Sequence, residues 1–259
     1  MRRFSDEEKE TIVKLRNEGK SLNQICKILN RGKSAVYYQI QKNFGRSYKL
    51  VRLDRSNGNL IGEIMGLFAS DGSSVPQSNY QINFHLDANE EIYAKKFMIV
   101  LNRVFNKVPF LFRRPKNNSI VVAYHSKLIY EFIREYLDWI GKKTYTVMLR
   151  ELDHSKEFLI GFLRGYFDGD GHSRKDSRTA QFITTSGSMH HQVQEILSMF
   201  SLKFFARTYH DKRKNRHATY YIYLRDMEAV KFINLIQPRN SKRVKPWACS
   251  IAWSSKLKA

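Results

Sequence analysis

The sequence predicts an α+β protein: two related halves of mixed helix and strand, preceded by a small all-α unit. Three observations carry that prediction. A Gly-rich helical segment ending in Asp-Gly occurs twice, with its final acids at Asp71 and Asp170, 99 positions apart. Each copy is followed by the same succession of strand, helix, hairpin and helix. Residues 1–43 show helical periodicity instead, broken by two short turns.

The bulk composition sets the frame. With 259 residues, 42% of them hydrophobic, the chain can bury a real core in one to three domains. Lys and Arg number 45 against 24 Asp and Glu, a formal charge of +21. Folding does not require such an excess, and it points to a polyanionic partner. The basic residues are spread through folded segments, which favours nucleic acid over a membrane surface. The two cysteines, Cys26 and Cys249, offer neither a four-ligand zinc site nor a disulfide framework. The charged segment 1–10 lacks the apolar core of a signal peptide, and no run of about 20 apolar residues exists. A reducing, intracellular setting without a membrane is the expectation.

The N-terminal unit spans 1–43. Ser5 with Asp6, Glu7 and Glu8 is a helix-capping signal, and Ile12, Val13 and Leu15 supply the apolar stripe that follows. Ser21 caps a second helix with Leu22, Ile25, Cys26 and Leu29 inward. Asn30-Arg31-Gly32-Lys33 makes a tight turn, and a third helix starts near Ser34 with Val36 and Ile40 inward. Two short helices about such a turn form the helix-turn-helix pattern, and the segment resembles the DNA-binding units of resolvases and transposases. That resemblance implies DNA contact through Lys33, Ser34 and Tyr38, at the exposed start of the third helix. A plain three-helix bundle or a protein-docking module would show the same periodicity.

Residues 44–59 read as a linker ending in the turn-like Ser56-Asn57-Gly58-Asn59. The first repeat then covers 60–150 and the second 151–259. In the first, a strand over 79–86, a helix over 90–105, a hairpin about 113–118 and a helix over 127–140 are expected. In the second, the matching segments are 179–185, 188–200, 212–217 and 227–236. A period near 100 residues is too long for a solenoid and reads as two facing domains, an intramolecular pseudo-dimer.

Within each repeat the Gly-rich helix carries glycines four apart: Gly62 and Gly66, then Gly161 and Gly165. Glycine costs about 1 kcal/mol relative to alanine inside a helix, so the spacing makes sense where two helix backbones must touch. Asp71 and Asp170 fall at the C-terminal ends, where the helix dipole opposes negative charge. If the helices pack side by side, the two carboxylates meet and form a hard oxygen site suited to Mg²⁺. One Asp-Gly alone would simply be a helix end; two copies with one glycine spacing ask for more.

These motifs resemble the LAGLIDADG homing endonucleases in their single-chain, double-motif form. The first motif is Ile64-Met65-Gly66-Leu67-Phe68-Ala69-Ser70-Asp71-Gly72, and the second is Leu163-Arg164-Gly165-Tyr166-Phe167-Asp168-Gly169-Asp170-Gly171. The first departs at Ala69, where the second has Asp168. The resemblance implies two pseudo-symmetric αββαββα domains whose antiparallel sheets form a saddle over DNA. It also implies a metal-binding acid at Asp71 and at Asp170, Mg²⁺ or another divalent cation as cofactor, and a monomer, since both halves share one chain. Family members place a basic residue near each site, from the segment after each repeat's last helix; Lys143 and Lys242 fall there, either as catalytic groups or as plain phosphate contacts.

The strand 80–86 alternates, with Gln81, Asn83 and His85 on its polar face, able to reach base edges in a major groove. In the second copy Gln181 and Thr185 match while Ile183 replaces Asn83, so an asymmetric double-stranded DNA target is expected. The basic hairpin tips, Arg113, Arg114 and Lys116 and then Lys212, Arg213, Lys214 and Arg216, suit phosphates, as does the acid-free tail 239–258. His190-His191 is read as surface. Together these features predict a site-specific, metal-dependent endonuclease of intron-homing type that makes a double-strand break in DNA. A catalytically silent DNA-binding regulator and an intron RNA maturase are the alternatives on the same fold.

Overall fold

The computed structural model of the chain describes residues 4–18, 20–44, 51–174, 178–211 and 217–243. The chain divides into two compact units, Met1–Leu50 and Val51–Ala259. The first is a three-helix unit: α1 (Asp6–Asn17), α2 (Leu22–Leu29) and α3 (Lys33–Phe44). Ser5 and Ser21 each close a reciprocal capping box, with Glu8 and Gln24 respectively. Asn30 ends α2 in the left-handed conformation, which asparagine tolerates better than most residues. Ile12, Ile25, Val36 and Ile40 fill a core of their own. The Arg31 guanidinium makes two hydrogen bonds to Glu8, bracing the α2–α3 turn against α1.

The second unit holds two copies of one αββαββα pattern. The first runs α4 (Gly58–Asp71), β1 (Gly72–Val75), β2 (Gln81–Asp87), α5 (Glu91–Phe105), β3 (Phe110–Arg114), β4 (Ser119–His125) and α6 (Lys127–Tyr136). A small β5 (Leu137–Asp138), α7 (Lys143–Thr146) and β6 (Met148–Leu149) lead to the second copy. That copy is α8 (Lys156–Asp170), β7 (His172–Ser173), β8 (Thr179–Thr184), α9 (Gly187–Met199), β9 (Phe205–Tyr209), β10 (Thr219–Arg225) and α10 (Asp226–Ile236). The two antiparallel sheets have the orders β1-β2-β4-β3 and β7-β8-β10-β9, the same topology twice. The protein is therefore α+β, as expected. Helix α6 stops at Tyr136, short of the expected 140, because buried Leu137 turns extended and pairs with Leu149.

Both sheets turn their apolar faces onto helices in one continuous core that includes Phe68, Phe84, Phe97, Phe167, Phe182 and Phe232. Through the middle of that core run α4 and α8, pressed backbone to backbone. A Cβ added at Gly62 or Gly66 would lie 2.0 or 2.1 Å from the carbonyl oxygens of Phe158 or Phe162. One added at Gly161 or Gly165 would lie 2.0 Å from those of Asn59 or Glu63. The four glycines are thus the only residue type this contact admits. Glu63 is fully buried on this interface and lies between Arg164 and Arg239 at 3.1 and 2.9 Å. Arg164 also donates to the Ile236 carbonyl and Asn59 Oδ1, so its charge is well partnered. Among the described residues, no helix is long and apolar enough to cross a membrane.

Candidate active site and nucleic-acid interface

Helices α4 and α8 end side by side, and Asp71 and Asp170 are their last residues. Desolvation first, and the charge of Asp170 next, push the Asp71 carboxyl up to about 7. Asp170 is raised as well, chiefly by desolvation, with Lys143 and Arg243 opposing the shift. Two carboxyls held against helix C-termini resist ionising together unless positive charge joins them. Gly169 leaves room for this pair, because a Cβ there would sit 2.0 Å from Ser70 Oγ and 2.6 Å from Asp71 Oδ2.

Each helix end is met by one basic side chain. Lys143 Nζ donates to the carbonyls of Phe68, Ala69 and Ser70 at 2.9, 2.6 and 3.2 Å, which covers the end of α4. Burial lowers its pKa to about 8, against the raising pull of Asp170 and Asp71. At the end of α8 the equivalent group is Arg243, not Lys242. Arg243 donates to the carbonyls of Asp168 and Gly169, which match Ala69 and Ser70 of the first repeat. Lys242 turns the other way, to Asp87 at 3.3 Å and Glu90 at 3.7 Å. The expectation for Lys242 is therefore corrected by one residue. A helical turn at 241–243 sends successive side chains in different directions, so two adjacent basic residues cannot both face α8.

Asp168 explains why that turn sits where it does. It is 1% exposed, and its carboxylate accepts the main-chain N–H groups of Arg239 and Asn240 at 3.0 and 3.1 Å. Desolvation raises it to about 7 despite those bonds. The first motif has Ala69 in this place and lacks the tether.

The outer face of the first sheet carries Ser73, Gln81, Asn83, His85, His125, Phe112 and Arg114, by the register of its four strands. Gln81 and His85 are half-buried, while Asn83 is only 4% exposed. Asn83 accepts from Gln81 and donates to Ser73, and Ser73 also bonds His85 at 2.8 Å. Asn83 is thus a floor beneath Gln81 rather than a free reader. Arg113 and Arg114 lie on opposite faces. Arg114 shares the outer face and covers the Phe112 ring, whereas Arg113 pairs with Glu91 on the helix side. That is the consequence of strand periodicity, which the reading of 113–118 as one basic tip overlooked. Lys116 is exposed in the connecting turn Pro115–Asn117.

On the second sheet Gln181 is buried, opposite Tyr223 and His172, and Ile183 is exposed beside Tyr221. Thr185 lies past the strand, and its hydroxyl donates to the Thr144 carbonyl at 3.0 Å rather than facing outward. Lys212, Arg213, Lys214 and Arg216, and the tail beyond 243, lie outside the described residues. His190 is buried, tilted against Tyr220 and bonded to Gln194, which corrects its reading as surface.

The sequence reading missed the contribution of β9 and β10. Tyr221 and Tyr223 stack with an interplanar angle of 2°, and Arg225 covers Phe205. Arg174, Arg178, Arg207 and Arg225 surround a concavity of about 670 Å³ with Phe205 and Tyr223. The alternation of Tyr221 and Tyr223 with Ile222 and Leu224 was the available signal. In the N-terminal unit Lys33, Ser34 and Tyr38 are all exposed on α3, with Tyr37 next to them.

Residues 157–237 match the model of the LAGLIDADG-like domain. A variant of the homing endonuclease I-DmoI superposes on 69% of this chain and 95% of its own, with 12% identity and a TM-score of 0.52. The fold is the LAGLIDADG fold. Full-length DUF199/WhiA from Thermatoga maritima shares it, over 73% of this chain and 58% of that one, at 13% identity and a TM-score of 0.51. In sequence, 139 residues are 27% identical to the ATP-dependent DNA helicase Hel308 of Thermococcus kodakarensis. A further 26% identity over 161 residues links the chain to the replication factor C small subunit of Methanocaldococcus jannaschii. The matches span 12% and 8% of those two proteins, so they carry neither whole-protein activity to this chain.

Proposed function

We propose that the chain is a site-specific DNA endonuclease of homing type, dependent on a divalent cation and cutting one strand at each of two sites. The observation that carries this reading is the meeting of Asp71 and Asp170 at two touching helix ends, each end covered by a basic side chain. The residues fit a hard cation: desolvation keeps two oxygen-donor carboxylates from ionising readily, the charge of Asp170 adds to this at Asp71, and bound positive charge would relieve both. Among the described residues no three His, Cys, Asp or Glu converge, so water and DNA phosphate would complete the coordination. When bound, such an ion activates water and offsets charge on the leaving oxygen. Lys143 and Arg243 add fixed positive charge beside the scissile phosphates. I-DmoI has been solved with DNA and Ca, and with its target DNA in the presence of Mg, which agrees with this reading.

The two outer sheet faces would read the duplex, the first through Gln81, His85 and Arg114, the second through Tyr221, Tyr223, Arg207 and Arg225. Their difference implies an asymmetric target bound by a monomer. The three-helix unit would extend the footprint through Lys33, Ser34 and Tyr38. Lys116 and the basic stretch 212–216 would contact phosphates.

The test is cleavage of a randomised plasmid library with Mg²⁺, with EDTA, and with Asp71→Asn or Asp170→Asn. Mg²⁺-dependent linear product, lost in either variant, is expected. A catalytically silent DNA-binding regulator on this fold is the second reading, since the formal charge of +21 serves binding to a duplex whether or not cleavage follows. Tight, metal-independent binding to selected sites without cutting would establish that reading instead.

A further inference from the structure

Lys143 belongs to the first repeat, yet the segment that carries it is bonded to the second. Thr185 Oγ1 donates to the Thr144 carbonyl at 3.0 Å, and Ser186 Oγ, the N-cap of α9, donates to the Val147 carbonyl at 2.7 Å. Gln192 of α9 uses both halves of its amide on one residue. Leu149 N–H donates to its Oε1, and its Nε2 donates to the Leu149 carbonyl, each at 2.8 Å. The Tyr145 ring stacks on His217 with centroids 3.7 Å apart. A side-chain amide suits this two-way bond, since it offers a donor and an acceptor side by side.

The arrangement recurs with the repeats exchanged. Arg243 belongs to the second repeat, and its segment reaches the start of α5 in the first. Asn240 Nδ2 donates to Glu90 Oε1 at 3.0 Å, and Lys242 pairs with Asp87 and Glu90. Glu90 is itself fixed, since its other oxygen accepts the Asp87 N–H at 3.1 Å. In both halves, the cap region of the helix after the central strand grips the basic segment of the opposite half.

We infer that Gln192 is a positioning residue for Lys143, so that the second repeat sets the geometry of the basic group at the first repeat's helix end. Three carbonyls hold the ammonium of Lys143, but nothing in its flexible stem fixes where its main chain lies. The amide of Gln192 does that together with Thr185 and Ser186, through Leu149 and the short β5–β6 pair. The catalytic consequence rests on the endonuclease reading given above; the positioning itself does not.

The experiment therefore has two readouts. Residue-resolved lysine acylation followed by mass spectrometry reports on Lys143 in the full chain without DNA. Gln192→Met keeps the side chain's length and removes both bonds, and it should raise Lys143 labelling several-fold while Lys242 stays as in the parent. Gln192→Glu keeps the acceptor for Leu149 N–H and should give an intermediate value; it also serves as the reading if Gln192→Met loses its cooperative melt. Unchanged Lys143 labelling in a folded variant, or a uniform rise across lysines in both variants, would overturn the inference. In strand-resolved cleavage, Gln192→Met should slow by about tenfold or more the strand that Lys143→Met slows most, through kcat with KM unchanged. Equal slowing of both strands would also overturn it. A parent that binds DNA and never cuts defeats the endonuclease reading alone and leaves the labelling result to judge Gln192.

Discussion

Lys143 and Arg243 occupy matching places at the ends of two paired helices, one closing on three carbonyls of α4 and the other on two of α8. Lysine presents a compact charge and arginine a flat fork, so the two helix ends share a design but not a chemistry. Lys143→Met and Arg243→Met should each reduce double-strand cleavage by about a hundredfold, in line with loss of one charge-stabilising group. Lys242→Met should stay within a few-fold of the parent. Single-turnover rates on a cleaved plasmid check all three, and a collapse in Lys242→Met would reverse the assignment.

Gly66→Ala places a methyl 2.1 Å from the Phe162 carbonyl, a main-chain atom that cannot swing aside. Overpacking of this kind costs about 1–3 kcal/mol and sometimes more. Denaturant unfolding should show at least that loss, with Gly165→Ala similar. A Gly32→Ala control, where a Cβ meets nothing within 4 Å, should lie within about 0.5 kcal/mol of the parent.

The raised carboxyl of Asp71 makes a signed prediction. Its folded pKa of about 7 lies above the ordinary 3.8, so the folded state holds the extra proton between those values. This contribution to stability is present at low pH and is lost as pH rises through about 7. Without cation, the Asp71→Asn variant should therefore gain most in Tm over the parent at pH 8, less at pH 5 and least below pH 4. Mg²⁺ or Ca²⁺ should raise the parent's Tm more at pH 8 than at pH 6, since only the carboxylate binds. Equal cation shifts in parent and variant would remove Asp71 from the proposed metal site.

The two sheet faces should separate in binding. Gln81→Ala and Arg114→Ala are expected to weaken binding to one half-site, and Tyr223→Ala and Arg207→Ala to the other, each by about 1–3 kcal/mol where a base is read. Lys116→Ala should weaken all sites alike and reduce the salt slope by about one unit. Competition titrations over a mutated target, repeated at two salt concentrations, measure both effects.

The repeated motif made most of the architecture legible from sequence. Glycines four apart, an acid at each helix end and strand alternation were enough for helix, strand, helix, hairpin and helix twice over; the first short strand of each copy, Gly72–Val75 and His172–Ser173, was implied only by the family resemblance. What the sequence hid depends on direction rather than identity. Arg113 and Arg114 are neighbours in the chain, but the pleat sends one to Glu91 and the other to the outer face. Lys242 and Arg243 are likewise adjacent, and only the Asp168 tether shows which of them meets α8. Asn83 follows the expected alternation, yet it is nearly buried and bonded to Gln81 and Ser73. Thr185 looked like a reader by register, and its partner Thr144 lies 41 positions upstream, beyond any local pattern.

The four glycines between α4 and α8 work as a gauge. Sheet residues can change and so choose a new sequence to grip, but two backbones already in contact cannot draw nearer, and any side chain would force them apart. The spacing of the two carboxylates is therefore insulated from the sheet faces proposed to read DNA. In the proposed reaction, the stagger between the two cuts would stay constant while the target drifts.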